Sequence, residues 1–83
     1  MDLPKLPVVS GKDLSKLLVG LGYEKVRQRG SHVRFMKATA IGSHNITIPM
    51  HAEISKGTLN DVLSSVSLWN GVPREKLLAM LRK

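Results

Sequence analysis

His32 stands in the run Val26-Arg27-Gln28-Arg29-Gly30-Ser31-His32-Val33-Arg34-Phe35-Met36-Lys37, with arginines at positions 27, 29 and 34. An imidazole, with an unperturbed pKa of about 6.5, can take or give a proton near neutral pH. A guanidinium presents a planar fork of donors that matches a phosphate. Together these groups suit a phosphodiester chain. RNA carries its own nucleophile, the 2′-hydroxyl. A base that takes that proton, beside cations that stabilise a charged phosphorane, can cut the chain without a metal ion. The products would be a 2′,3′-cyclic phosphate and a 5′-hydroxyl end. The plain alternative is a solvated histidine at a hairpin turn.

That chemistry needs the four side chains on one surface. Gly30-Ser31 reads as the two-residue turn of a β-hairpin, with Gly30 supplying the positive φ such turns favour. The register then sets Arg29 opposite His32, Arg27 opposite Arg34 and Lys25 opposite Met36. Side chains alternate between the faces of a strand. Arg27, Arg29, His32 and Arg34 therefore share one face. Val26, Val33 and Phe35 share the other, with Gln28 beside them at the turn end.

The remaining elements follow in chain order. Residues 1–9 hold two of the four prolines and read as an extended lead-in. Ser10 and Asp13 have the spacing of a capping box. Leu14, Leu17, Leu18 and Leu21 mark one face of a helix that Gly22 ends, with Lys12 and Lys16 off the stripe. Tyr23–Arg29 and His32–Lys37 are the hairpin, with Tyr23 at the sheet edge as the one exposed aromatic. Ala38–Ser43 reads as a loop. Asn45-Ile46-Thr47-Ile48 reads as a third strand with the isoleucines inward, closed by Pro49. Met50–Gly57 is a linker. Ser55 caps a second helix carrying Leu59, Val62, Leu63 and Val66. Asn70-Gly71 is a turn, and Pro73 opens a third helix as its first residue, with Leu77, Leu78 and Leu81 on one side. Trp69 is expected to pack that helix onto the body.

The predicted order is α-β-β-β-α plus a C-terminal helix, an α+β fold with a three-stranded antiparallel sheet. Two amphipathic helices cover one face of the sheet and leave the other open. With 83 residues the expectation is one domain, a core over about 10–66 and a helical extension over about 72–83.

Thirteen Lys and Arg against six Asp and Glu give a formal charge of +7, and the isoelectric point is about 10.3. The basic residues concentrate in 25–37, which points to a polyanionic partner. The absence of cysteine excludes disulfides, thiolate nucleophiles and cysteine-based zinc sites. The N-terminus lacks the pattern of a signal peptide, and no apolar run is long enough to span a bilayer. A cytoplasmic protein with no membrane association is expected.

Two further histidines compete for a role. Gly42-Ser43-His44 repeats the tripeptide of His32, but in a predicted loop without flanking arginines, and reads as coincidence. His51 follows the third strand and is a candidate second acid or base, or a contact to RNA backbone. Lys56-Gly57-Thr58 opens a helix whose free N–H groups suit a phosphate, or an ordinary capped start. The spacing of the histidines fits no common zinc motif, so neither metal nor cofactor is expected.

Several of these pieces occur in an order and spacing that is similar to one family. Ser10-Gly11-Lys12 opens the first helix and Leu21-Gly22-Tyr23 closes it. Val26 to His32, Ile48-Pro49-Met50-His51 and Lys56-Gly57-Thr58-Leu59 follow. Over about Ser10–Val66 the chain resembles the HicA toxins, small mRNA interferases of bacterial and archaeal toxin–antitoxin systems. The resemblance implies a fold like a double-stranded-RNA-binding domain, ribonuclease activity on mRNA and a HicB-like antitoxin partner. It places the family's essential histidine, which lies in a Gly-Ser-His tripeptide, at His32. Arg27, Arg29, Gly30, Ser31, Arg34 and Lys56 are the expected RNA-binding residues around it. The segment from Ala38 to His44 and the tail after Ser67 depart from the family pattern. Two other readings of the same basic face are a non-catalytic RNA-binding module and a subunit that docks an acidic protein.

Overall fold

The computed structural model describes residues 6–82 and has the order α1 (Gly11–Gly20), β1 (Glu24–Arg29), β2 (His32–Thr39), β3 (Gly42–Pro49), α2 (Lys56–Asn70), α3 (Arg74–Leu81). The three strands form one antiparallel sheet in the order β1-β2-β3. This is the α+β, double-stranded-RNA-binding-domain-like arrangement expected from the residue pattern. Of the lead-in expected over residues 1–9, the first five residues lie outside the described ones.

Both long helices begin where their caps dictate. The Ser10 hydroxyl accepts from the Asp13 N–H, and the Asp13 carboxylate accepts from the Ser10 N–H, each at 3.0 Å. Those hydrogen bonds hold the Asp13 carboxyl below the usual carboxylate range. Ser55 caps α2 by accepting from the Thr58 N–H. Gly22, at φ 102°, and Gly71, at φ 62°, end α1 and α2 in the left-handed region that favours glycine.

The predicted apolar stripes are the core. Leu14, Leu17 and Leu18 of α1 and Leu59, Val62, Leu63 and Val66 of α2 are buried with Val33, Phe35 and Ile48 of the sheet. Leu18, Leu59 and Leu63 are fully buried, so cutting any of them back to alanine would cost about 2–5 kcal/mol. Leu77 and Leu78 join α3 to the same cluster. Val9 is buried, and its carbonyl accepts from the Ile54 N–H at 2.8 Å, so the segment before α2 is tied down rather than loose.

Six expectations need correction. The segment 38–44 is not a loop: β2 runs to Thr39 and β3 starts at Gly42, so the connection shrinks to Ala40-Ile41. Lys25 pairs with Phe35, not Met36, because the register slips by one residue at a bulge between Lys25 and Arg27. The bulge leaves Val26 exposed instead of facing the core. Tyr23 precedes β1 and is 2% exposed, buried against His44 rather than at the sheet edge. Trp69 stacks on His44 of β3, with ring centroids 5.0 Å apart, and so faces the sheet. At α3, Pro73 is the N-cap rather than the first helical residue, so the helix starts at Arg74, one residue later than expected.

Candidate active site

The turn that shapes the site behaves as its residues require. Gly30 has φ 59°, and no non-glycine residue among those described has positive φ. A positive φ at the first turn position alone is the pattern of a type II′ hairpin, whose twist matches the strands. Beyond the turn, Arg29 pairs with His32, Gln28 with Val33, and Arg27 with Arg34. The bulge lies outside this stretch, so the register nearest the turn is the one the sequence implied.

On β2, Val33 and Phe35 are buried while His32 and Arg34 are exposed. The helices cover the first pair's face. Arg27, Arg29, His32 and Arg34 line one shallow depression of about 170 Å³ on the opposite face, together with Thr47. Thr47 enters because it pairs with Arg34 from β3. Sequence reasoning left Thr47 out. Its outward position was readable from the alternation of β3, but its register against β2 was hidden by treating 38–44 as a loop.

The electrostatics of the depression are one-sided. Arg27 and Arg34 stand directly opposite one another, a pairing of like charges that sheets ordinarily avoid. No ion pair or hydrogen bond from any of the three guanidiniums, or from the His32 ring, is formed among the described residues. Three uncompensated cations converge on an imidazole with both ring nitrogens free. That combination can hold an anion and exchange a proton with it.

Around the turn, the Gln28 side chain donates to the Gly30 carbonyl at 3.2 Å. The Met50 N–H donates to the Ser31 carbonyl at 2.6 Å, which brings the chain leaving β3 back against the turn. His51 follows, exposed, and lines a separate depression with Ser10, Lys12, Met50 and Ala52. The Gly11 N–H donates to its carbonyl at 2.9 Å. A methyl group at Gly11 would run into the Pro49 carbonyl, so glycine is what lets α1 approach this segment. Lys56 is exposed at the start of α2 and lines neither depression.

His44 lies on the opposite face and is 5% exposed. Its Nδ1 is 2.5 Å from the Tyr23 hydroxyl and its Nε2 is 2.7 Å from the Ser65 hydroxyl. The Asn70 amide donates to the Tyr23 hydroxyl, and Lys37 donates to the Asn70 carbonyl oxygen. Each ring nitrogen thus faces a hydroxyl that can either donate or accept, so both nitrogens of a neutral imidazole are satisfied in either tautomer. Burial holds its pKa below the ordinary histidine value and raises that of Tyr23. Among the described residues, no three His, Asp or Glu side chains come together as a metal site. No helix among them is long and apolar enough to cross a membrane.

Against protein-family models, residues 11–68 match the family described as HicA toxin of bacterial toxin-antitoxin, well over half of the chain. No curated protein and no solved structure gave a match.

Proposed function

Since the chain belongs to the HicA toxin family, we propose that it is a metal-independent endoribonuclease that cuts mRNA, with His32 as the general base. The observation that carries this reading is the shared depression of His32, Arg27, Arg29 and Arg34 on the open face of the sheet. A phosphodiester seated on the guanidiniums brings its neighbouring 2′-hydroxyl to the imidazole. His32 takes the hydroxyl proton, the 2′-oxygen attacks phosphorus, and the arginines stabilise the added negative charge. The P–O5′ bond breaks as the leaving oxygen gains a proton, leaving a 2′,3′-cyclic phosphate and a 5′-hydroxyl. We assign that second proton transfer to His51, whose depression adjoins the turn. Gly30 and Ser31 let the RNA backbone approach, and Lys56 meets it further along.

The partner that restrains the toxin is a HicB-like antitoxin with carboxylates where it meets the arginines. The setting is the cytoplasm, where mRNA is available.

The test is incubation with mRNA in excess EDTA, reading new 5′-hydroxyl ends. The expected result is cleavage by the wild-type protein and none by His32→Ala. Equal cleavage by both, or none by the wild type, overturns the reading. Salt-dependent RNA binding without new ends identifies a non-catalytic RNA-binding module instead. Slower cleavage by His51→Ala with RNA binding retained supports the second proton transfer, and unchanged cleavage removes it.

A further inference from the structure

Past the arginines, the open face changes character. Met36 and Ala38 of β2 pair with Asn45 and Ser43 of β3, and Glu24 of β1 pairs with Met36. Same-face residues on a strand are two apart, so these side chains continue the surface of His32, Arg34 and Thr47. Glu24, Ala38, Ser43 and Asn45 are exposed, and Met36 is half-buried. Among the described residues, this half of the face holds no basic side chain.

Polar groups on the two faces of the sheet are treated differently. Behind it, Lys37, His44, Tyr23 and Asn70 are joined by hydrogen bonds. In front, the side chains of Glu24, Ser43 and Asn45 make no hydrogen bond or ion pair among the described residues. A phosphate would find no cation here and would be repelled by Glu24. A nucleobase would not.

We propose that Asn45 and Glu24, flanking Met36, form a base-reading subsite for a nucleotide beside the scissile phosphate, selecting a base with an exocyclic amine. An Asn amide pairs with adenine through one donor and one acceptor, and a carboxylate accepts from the cytosine amine. The Met36 thioether gives the ring a polarisable surface. Ala38 is small and leaves room above the strand. The proposal rests on the nuclease reading for its orientation, because the arginines must hold the phosphate. The arginines then set affinity, and the end around Asn45 and Glu24 sets sequence.

The experiment uses a randomised single-stranded RNA pool. Cleavage by the wild-type protein is sequenced beside Asn45→Ala, Glu24→Gln and Arg34→Ala. A preference for an amine-bearing base over uracil at one flanking position, of about tenfold, is expected. Asn45→Ala flattens it by slowing cleavage at preferred sequences, Glu24→Gln weakens it, and Arg34→Ala slows all sequences alike. A preference untouched by Asn45→Ala, or lost cleavage at every sequence equally, overturns the proposal. A second arm selects binders from the same pool with His32→Ala, with and without Asn45→Ala. Enrichment of the amine-bearing base that Asn45→Ala removes supports base reading even where nothing is cut. No enrichment in this arm overturns it, independently of the nuclease reading.

Discussion

The chain spells Gly-Ser-His twice, at 30–32 and 42–44, and the two copies end on opposite faces of one sheet. His32 pairs with Pro49, and His44 pairs with Lys37. Positions 32 and 37 on β2 are an odd number apart, so their side chains point to opposite sides. The outcomes diverge accordingly. His32 is exposed beside three arginines, with no hydrogen-bond partner among the described residues. His44 is buried, stacked on Trp69 and hydrogen-bonded through both nitrogens. An imidazole with both nitrogens engaged holds structure together, and one with free nitrogens can move protons. Strand parity, not the tripeptide, decides which is which.

The sharpest way to break this contrast is to remove each ring in turn. His32→Ala should lower RNA cleavage by about 10²–10⁴-fold, the range for a lost general base, while the thermal midpoint stays put. His44→Ala should do the reverse. It strips a partner from the Tyr23 and Ser65 hydroxyls and opens a void beside Trp69, costing about 2–4 kcal/mol. For a chain of this size the midpoint should fall by roughly 10–20 °C. Cleavage per folded molecule should persist. Calorimetry and a cleavage assay on both variants check this, and matching losses in both assays would erase the distinction.

Much of this arrangement is legible in the residues alone. The leucine stripes, both serine caps and the turn at Gly30 each rest on local chemistry, and each appears where that chemistry puts it. The site was legible for the same reason: its four side chains come from one hairpin whose turn fixes the register. What stayed hidden depends on pairing across distance. Ala38 to Ser43 carries no strong strand signal, since small and polar residues there suit loop and strand alike. Its strand character comes from the ladder between β2 and β3. Without that ladder, Thr47 could not be set beside Arg34, nor His44 beside Lys37. Tyr23 reads as an edge aromatic and Trp69 as an anchor for the last helix until His44 is seen between them. The bulge at Val26 has no local marker in the sequence.

Acid should sharpen the contrast from the structural side. Burial keeps the His44 imidazole below its ordinary pKa. Between that lowered value and about 6.5 the unfolded chain binds a proton that the native chain does not. Stability is therefore complete above about pH 6.5 and declines as pH falls through the folded value. A protonated ring would also stand opposite the Lys37 ammonium, which Asn70 and the Tyr23 ring hold in place. Denaturant melts on either side of about pH 6.5 should show a shallower slope in His44→Asn than in the wild type. Equal slopes would mean the loss comes from elsewhere.

The smallest effect concerns the cations on the other side. Arg27 opposite Arg34 is a cross-strand clash of like charge that no ion pair among the described residues relieves. Such pairs cost about a few tenths of a kcal/mol. Arg27→Ala should raise the thermal midpoint by about 1–3 °C. The same change should weaken RNA binding and lower its salt dependence by about one phosphate contact. Stability and binding thus move in opposite directions. A surface arginine with no ligand would leave both unchanged, and one that braced the hairpin would lower both. Only a cation kept against the local preference of the sheet, for the sake of an anion that is not part of the chain, gives the opposed pair.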